Sequence, residues 1–488
     1  TFDASTSGSL DTVDTIVGGT GSDTLTVAIA NESIRPDITG VETIKLTAAA
    51  DTGTIDTRDM SGVTNYDNES SAGNIVLNYL STVPTVTLNT LAADMTLNFT
   101  DAALADASQS MTLNTNNSTG TITITDGGGT TNELETVVVN STSLASTLTA
   151  LVTDGVETSA VTITGDADLT VSSLDALVAT LTSSAFTGDL TLTSDRTLAF
   201  TATTGAGADT ITSNSTAAQI ISTGAGADSY TGGSTVADSI TLGAGNDSVT
   251  IATANLTSVD TIAGGDGTDS IVMSDAATVV DADFTNVTSV ETISSGNNAL
   301  TLTLGAASQA AGLTTITDGT GVTTLSLGSG HTGDVAVSLS TGNDSIDATV
   351  ASNNLYTGAL TVTSAGASLD GNDTITGGTG SDNLKVTGTL SNAAATIVTN
   401  FETITANDTT TAVSITIDEL TVADGKTLHV DGSGLTTGVL TAVMSDDNNG
   451  INSVTGGGAA DLITASSSDL GDTLTGGSGN DTFTFAAN

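Results

Sequence analysis

The groups in this chain best suited to chemistry are aspartates that follow a short glycine run and precede an apolar residue by two places. The densest set lies between Gly205 and Met273. It reads Gly205-Ala-Gly207-Ala-Asp209-Thr-Ile211, Gly224-Ala-Gly226-Ala-Asp228-Ser-Tyr230, Asp238-Ser-Ile240, Gly243-Ala-Gly245-Asn-Asp247-Ser-Val249, Asp260-Thr-Ile262 and Gly264-Gly265-Asp-Gly267-Thr-Asp269-Ser-Ile271. Toward the start come Asp14-Thr-Ile16 and Gly18-Gly19-Thr-Gly21-Ser-Asp23-Thr-Leu25. Toward the end come Asp344, Asp373, Gly377-Gly378-Thr-Gly380-Ser-Asp382, Asp461, Asp472 and Gly476-Gly477-Ser-Gly479-Asn-Asp481. A carboxylate on a short side chain, set in a glycine turn among main-chain carbonyls, is a hard oxygen donor. Six to eight such oxygens hold Ca2+ at about 2.3–2.6 Å, whereas Mg2+ demands a tighter octahedron and keeps its waters. These aspartates and glycines are the candidate ligands of several Ca2+ ions.

The pattern is the G-G-x-G-x-D-x-U-x nonapeptide of the calcium-binding parallel β-roll. Its glycines supply the unusual backbone angles of the corner, and the apolar residue points inward from a short strand. Asp14/Asp23, Asp238/Asp247, Asp260/Asp269, Asp373/Asp382 and Asp472/Asp481 lie nine residues apart. That interval predicts loops stacked on one another about 4.8 Å apart, with carboxylates that repel unless a cation lies between them. At the isolated loop of Asp344 a metal-free turn is an equal reading. In the Gly-Ala-Gly variants at 205–209, 224–228 and 243–247 an alanine replaces one glycine of the first pair.

The elements that must carry these loops are short strands. From residue 65 to about 202, and again from 274 to 340, Thr alternates with Val, Leu and Ile, as in Thr85-Val-Thr-Leu88, Thr121-Ile-Thr-Ile124 and Leu302-Thr-Leu304. Period-2 alternation reads as half-buried strand. The chain is expected to be all-β, an elongated parallel β-solenoid or β-roll with interspersed strand-rich segments, a sandwich being the other solution for the stretch 61–204. Leu144–Val152 and Leu174–Leu181 are candidates for short helical caps. The expected divisions are a first calcium-loop module at 1–60, a strand-rich segment at 61–204, a calcium β-roll at 205–273, a strand-rich segment at 274–365 and C-terminal calcium-loop modules at 366–488. A second pattern, apolar-Glu-Thr-Ile or Val, occurs at Glu42, Glu135, Glu291 and Glu402, with a partial copy at Glu157. It reads as a strand-start or register marker in preference to a metal ligand.

Composition narrows the function. Acidic residues number 55 against 6 basic ones, for a net charge of −49. Nucleic acid is excluded as a direct partner, since phosphate binding needs clustered Lys and Arg. Self-repulsion on this scale destabilises a compact state unless cations neutralise it. Only nine of the acids are Glu, so the acids are mostly turn residues. There is no Cys, hence no disulfide and no thiolate site, and no apolar run long enough to span a bilayer. The chain begins at Thr1 without a signal peptide, and is expected to be the processed or ordered part of a longer product. Neither a His-Glu-x-x-His nor a Gly-x-Ser-x-Gly motif is present. His331 and His429, the only histidines, read as surface strand residues. Paired aspartates suit glycoside hydrolysis, but the aromatic platforms of such clefts are scarce.

The nonapeptides resemble those of the repeats-in-toxin (RTX) family, exported by Gram-negative type I secretion. With the Thr/Ser/Ala-rich strands, scarce Lys, absent Cys and interleaved Glu-Thr-Ile elements, the chain is similar to calcium-dependent S-layer proteins of the Caulobacter type. That resemblance implies a secreted, non-enzymatic structural protein, a Ca2+-stabilised subunit that self-assembles into a two-dimensional array on the cell surface. It also implies homo-oligomeric partners and attachment to cell-surface polysaccharide through a region outside this chain. An RTX-type adhesin or biofilm-matrix fibre is the alternative.

Overall fold

The computed structural model describes residues 1–6, 8–105, 109–125, 134–153, 159–328, 330–349, 356–395, 397–418, 426–446, 450–467 and 471–485. Strands hold 49% of the chain and helices 4%, and the fold is a parallel β-solenoid. It divides into two compact units, Thr1–Val249 and Thr250–Asn488. Glu157, the partial copy of the second pattern, lies outside the described residues.

From Asn65 onward successive strands of the first unit alternate between two sheets, so that each pairs with the next but one; in the coils before it a third sheet, Thr15–Val17, Asp37–Thr39 and Met60–Ser61, takes every third strand. One sheet runs through Thr24–Ile29, Thr43–Ala48, Asn65–Glu69, Thr85–Asn89, Ser110–Asn116, Thr136–Ser141 and Ala160–Gly165, every neighbour parallel. The other runs through Gly53–Asp56, Ile75–Leu80, Met95–Phe99, Thr119–Thr125, Ser146–Val152, Leu169–Leu174 and Leu190–Ser194. The alternation of Thr with aliphatic residues sets this arrangement. In Thr24–Ile29 each aliphatic or alanine position faces either the core or the outside in strict turn, Leu25, Val27 and Ile29 being buried.

Register then stacks one apolar side chain per coil. Leu25, Ile44, Tyr66, Val86, Leu113, Val139 and Ile163 form one such column, partnered strand to strand and all buried. Each contributes about 1.5–3 kcal/mol by leaving water, so stability accrues rung by rung rather than from one central core. A one-residue slip would turn the whole column outward.

Most strands of the second unit fall in three sheets, while Thr261–Asp266 and Val287–Thr288 pair in a fourth. One carries Ser270–Met273, Thr292–Ser294, Thr315–Thr317, Val335–Ser338, Leu360–Ala365, Asn383–Thr387 and Thr403–Ala406. A second carries Ala277–Val279, Leu300–Leu304, Thr323–Leu327, Ser345–Asp347 and Thr374–Thr376. The third carries Thr389–Leu390, Val413–Asp418, Leu440–Asp446, Leu462–Thr464 and Thr482–Thr484.

Three sequence expectations are corrected here. Residues 146–152 form a strand, not a helical cap, because Ser146, Leu148 and Leu151 are buried while Thr147 and Thr149 face outward. Likewise 174–181 is the end of the strand Leu169–Leu174, a turn, and the start of Thr180–Thr182. His331 is not a surface strand residue. It sits in a turn at 1% exposure, its Nδ1 3.3 Å from Ser308 Oγ. Burial pushes its pKa below the ordinary imidazole value. His429 does lie on an exposed strand position, in Thr427–Asp431.

Candidate metal centre

The corners between strands place the aspartates in columns that run from coil to coil. In the first unit Asp209 Oδ1 accepts the Leu190 N–H at 2.8 Å, Asp228 Oδ1 accepts the Asp209 N–H at 2.7 Å, and Asp247 Oδ1 accepts the Asp228 N–H at 2.7 Å. Asp238 Oδ1 takes the Gln219 N–H at 2.8 Å on a separate column. In the second unit Asp344 accepts from Thr323 at 2.8 Å and Asp373 from Asp344 at 2.7 Å. Asp382 accepts from Leu360, Asp461 from Leu440 and Asp481 from Asp461, at 2.8, 2.7 and 3.0 Å. Asp472 accepts from Asn452 at 3.1 Å. The short aspartate side chain reaches the preceding coil while its own N–H serves the next, so one residue type repeats down the column.

These contacts correct the expected stacking interval. Aspartates nine residues apart do not stack, because they open strands in different sheets. Asp14 precedes Thr15–Val17, which pairs with Asp37–Thr39, whereas Asp23 precedes Thr24–Ile29, which pairs with Thr43–Ala48. Asp238 precedes Ser239–Ala244, opposite Gln219–Ala225, while Asp247 follows the Asp228 column. Asp373 and Asp382 separate in the same way, above Asp344 and Leu360. So do Asp472 and Asp481, above Asn452 and Asp461. Asp260 and Asp269 stand before Thr261–Asp266 and Ser270–Met273, which pair with Val287–Thr288 and Thr292–Ser294 respectively. The stacking interval is one full coil: 19 residues from Asp209 to Asp228, 29 from Asp344 to Asp373.

Glycine is required at these corners for close approach. Gly224 and Gly243 have φ of 93° and 112°, and a Cβ on either would fall on the carbonyl oxygen of Gly205 or Gly224 in the coil before. Gly19, Gly21, Gly226, Gly245, Gly265, Gly267, Gly477 and Gly479 are also left-handed. Gly205, Gly207, Gly378 and Gly380 are not, and owe their identity to carbonyl groups of the preceding coil packed against their Cα.

The second carboxylate oxygen separates two kinds of corner. Asp373, Asp382, Asp461 and Asp472 use Oδ2 to accept an N–H of their own loop, from Asp370, Gly378, Gly457 and Ser466. In Asp209 and Asp228, Oδ2 is sealed from solvent and has no donor in good hydrogen-bond geometry, although Thr204 and the Gly205 N–H lie close enough to Asp209, and Thr223 to Asp228, to favour the charged carboxylate. The Thr204 and Thr223 hydroxyls beside them donate instead to the carbonyls of Thr223 and Leu242. Burial pushes the Asp228 carboxyl up to about 6, against the lowering pull of the Asp209 N–H, and it raises Asp209 as well. Burial also lifts Asp344 to about 6. A buried carboxylate oxygen without a well-aligned donor calls for a proton or a cation. Asp209 and Asp228, with carbonyls of the glycine corners at 205–228, could therefore hold a hard cation. Among the described residues no three His, Asp or Glu side chains converge on one point, so main-chain carbonyls and water would have to complete any coordination shell.

Two features escaped the sequence reading. One is the main-chain N–H ladder, whose only sequence trace is the recurrence of Asp at 19-residue spacing across 209, 228 and 247. The other is the setting of Glu42, Glu135, Glu291 and Glu402. Each accepts a main-chain N–H from the coil before, on Asp23, Gln109, Asp269 and Asp382.

A family model of the RTX calcium-binding nonapeptide repeat matches the chain in four copies, at residues 10–27, 368–385 and 446–483. The chain thus carries RTX repeats on a β-solenoid, which indicates a calcium-binding, secreted type of protein. Neither the curated proteins nor the solved structures contain a match to the chain. No helix among the described residues is long and apolar enough to cross a membrane.

Proposed function

We propose that this chain is a calcium-stabilised structural subunit that assembles with copies of itself into a two-dimensional S-layer array on a bacterial surface, after export by type I secretion. Attachment to surface polysaccharide is assigned to a region outside this chain, and no catalytic role is assigned. The observation that carries the reading is the repeated carboxylate column. It stores buried negative charge that a divalent cation neutralises, which couples folding to calcium. The strand faces support lateral packing. Thr147, Thr170, Thr191, Thr210 and Ser229 stand in one register column, an uncharged hydroxyl surface on a chain of net charge −49. Copies can approach along such a column, which itself carries no charge. Electron microscopy of the purified chain with millimolar calcium tests the proposal. Ordered sheets are expected. Filaments would favour an adhesin or matrix fibre, and dispersed monomers at high calcium would overturn self-assembly.

A further inference from the structure

Three glutamates of the apolar-Glu-Thr-Ile pattern meet an aspartate loop one coil earlier, each in the same way. The Asp23 N–H donates to Glu42 Oε2 at 2.7 Å, the Asp269 N–H to Glu291 Oε2 at 2.8 Å and the Asp382 N–H to Glu402 Oε2 at 2.8 Å. The main chain returns the contact. Asp23, Asp269 and Asp382 offer their carbonyls to the N–H groups of Thr43, Glu291 and Glu402 at 3.1, 3.1 and 3.2 Å. In the Asp209–Asp247 column the same N–H is taken by the next aspartate. The glutamate therefore stands where the next aspartate of a column would be.

The corner around each glutamate is rebuilt to match. The Gly-Gly-x-Gly-x-Asp loop gives way to three residues: Gly40-Val41-Glu42, Ser289-Val290-Glu291 or Asn400-Phe401-Glu402. The first is left-handed in each case, with φ of 64°, 51° and 61°. The second is a buried apolar plug. The carbonyl of the first residue packs over the opening glycine of the loop before it. A Cβ on Gly18, Gly264 or Gly377 would collide with the carbonyl oxygen of Gly40, Ser289 or Asn400. Strand pairing already fixes register at these places, with Leu25 opposite Ile44, Ile271 opposite Ile293 and Leu384 opposite Ile404. Register alone would accept any polar residue at the glutamate position. A carboxylate that reaches back to the N–H of a candidate ligand does something more specific.

We propose that Glu42, Glu291 and Glu402 are positioning residues of the calcium loops. Each ends an aspartate column and fixes the main chain of Asp23, Asp269 or Asp382, so that this residue's carboxylate and the carbonyls of its glycine loop are set to receive the cation. The inference rests on the calcium reading above. Its content is that the longer side chain acts through the aspartate N–H and does not itself bind metal.

The test uses the full chain in three forms: the parent, the triple variant Glu42→Gln/Glu291→Gln/Glu402→Gln, and the triple variant Glu42→Ala/Glu291→Ala/Glu402→Ala. Each is titrated with calcium by calorimetry, and its β content is followed in calcium and in chelator. Glutamine keeps a neutral acceptor for the aspartate N–H, so its affinities should stay close to those of the parent. Alanine removes the acceptor, and the three dependent loops should weaken by about 10- to 100-fold, the usual effect of losing a group that orients a metal ligand. Identical titrations of the alanine triple and the parent would overturn the proposal. Equal losses in the glutamine and alanine triples would also overturn it, since they would make the glutamates ligands. If the alanine triple fails to fold, the single variant Glu402→Ala carries the comparison. A parent chain that takes up no calcium would defeat the calcium reading itself, an outcome read without any variant.

Discussion

Asp228→Asn should have opposite effects with and without calcium. The amide keeps an oxygen for the Asp209 N–H but removes the charge from an oxygen that is buried without a well-aligned donor. Burial lifts the Asp228 carboxyl from 3.8 to about 6. A folded-state pKa above the unfolded one means that the folded chain holds the proton more tightly. Stability from this group is full below about pH 4 and is lost as pH rises through about 6. A shift of roughly 2 units at about 1.4 kcal/mol each caps the cost at ~3 kcal/mol. Solvent near the loop reduces this to ~1–2 kcal/mol. In chelator at pH 7 the variant should therefore melt higher than the parent, by about 2–8 °C for a unit of this size. At pH 4 the difference should vanish, because the parent is then protonated. With saturating calcium the order should invert, since the variant has lost a ligand. Thermal melts by circular dichroism at the two pH values, with and without calcium, make the comparison. A variant that melts below the parent in chelator at pH 7, or that gains as much from calcium as the parent does, would refute the reasoning.

Two further substitutions probe the scaffold. Gly243→Ala places a side chain at φ 112° and onto the Gly224 carbonyl, at a cost of at least ~1–3 kcal/mol, and should lower the melting temperature in calcium and in chelator alike. Leu192→Ala opens a hole at a position 1% exposed and should cost ~2–5 kcal/mol. Because coils contact only their neighbours, hydrogen exchange should rise first in Leu169–Leu174 and Thr210–Ser213, the strands paired with Leu190–Ser194.

Much of the fold was legible because its signals are local. Alternating Thr and aliphatic residues predict each strand and its buried face, and the glycine-aspartate runs mark the corners. The coil period was not legible from the nonapeptide. A nine-residue step carries the chain from one sheet to another, and only the pairing of Asp209 with Asp228, or of Asp344 with Asp373, reveals how many residues close a coil. The segment Leu144–Val152 misled because Leu and Ala favour helix intrinsically, while its Ser-Thr-Leu-Thr alternation and the strands on either side impose a strand. The apolar-Glu-Thr-Ile pattern marks the strand start after each glutamate, but the N–H on the preceding coil is a long-range partner with no trace in local sequence. His331 escaped for a similar reason: its cover includes Ser308, 23 residues earlier.

The central claim is that the aspartate columns are cation sites. A crystal structure grown in calcium, with anomalous scattering used to locate the ions, tests it most directly. Anomalous peaks are expected beside Asp209 and Asp228, coordinated by their carboxylates and by carbonyls of the 205–208 and 224–227 corners. A well-ordered solenoid with no peak at these corners, or with calcium bound only at surface carboxylates outside the columns, would contradict it.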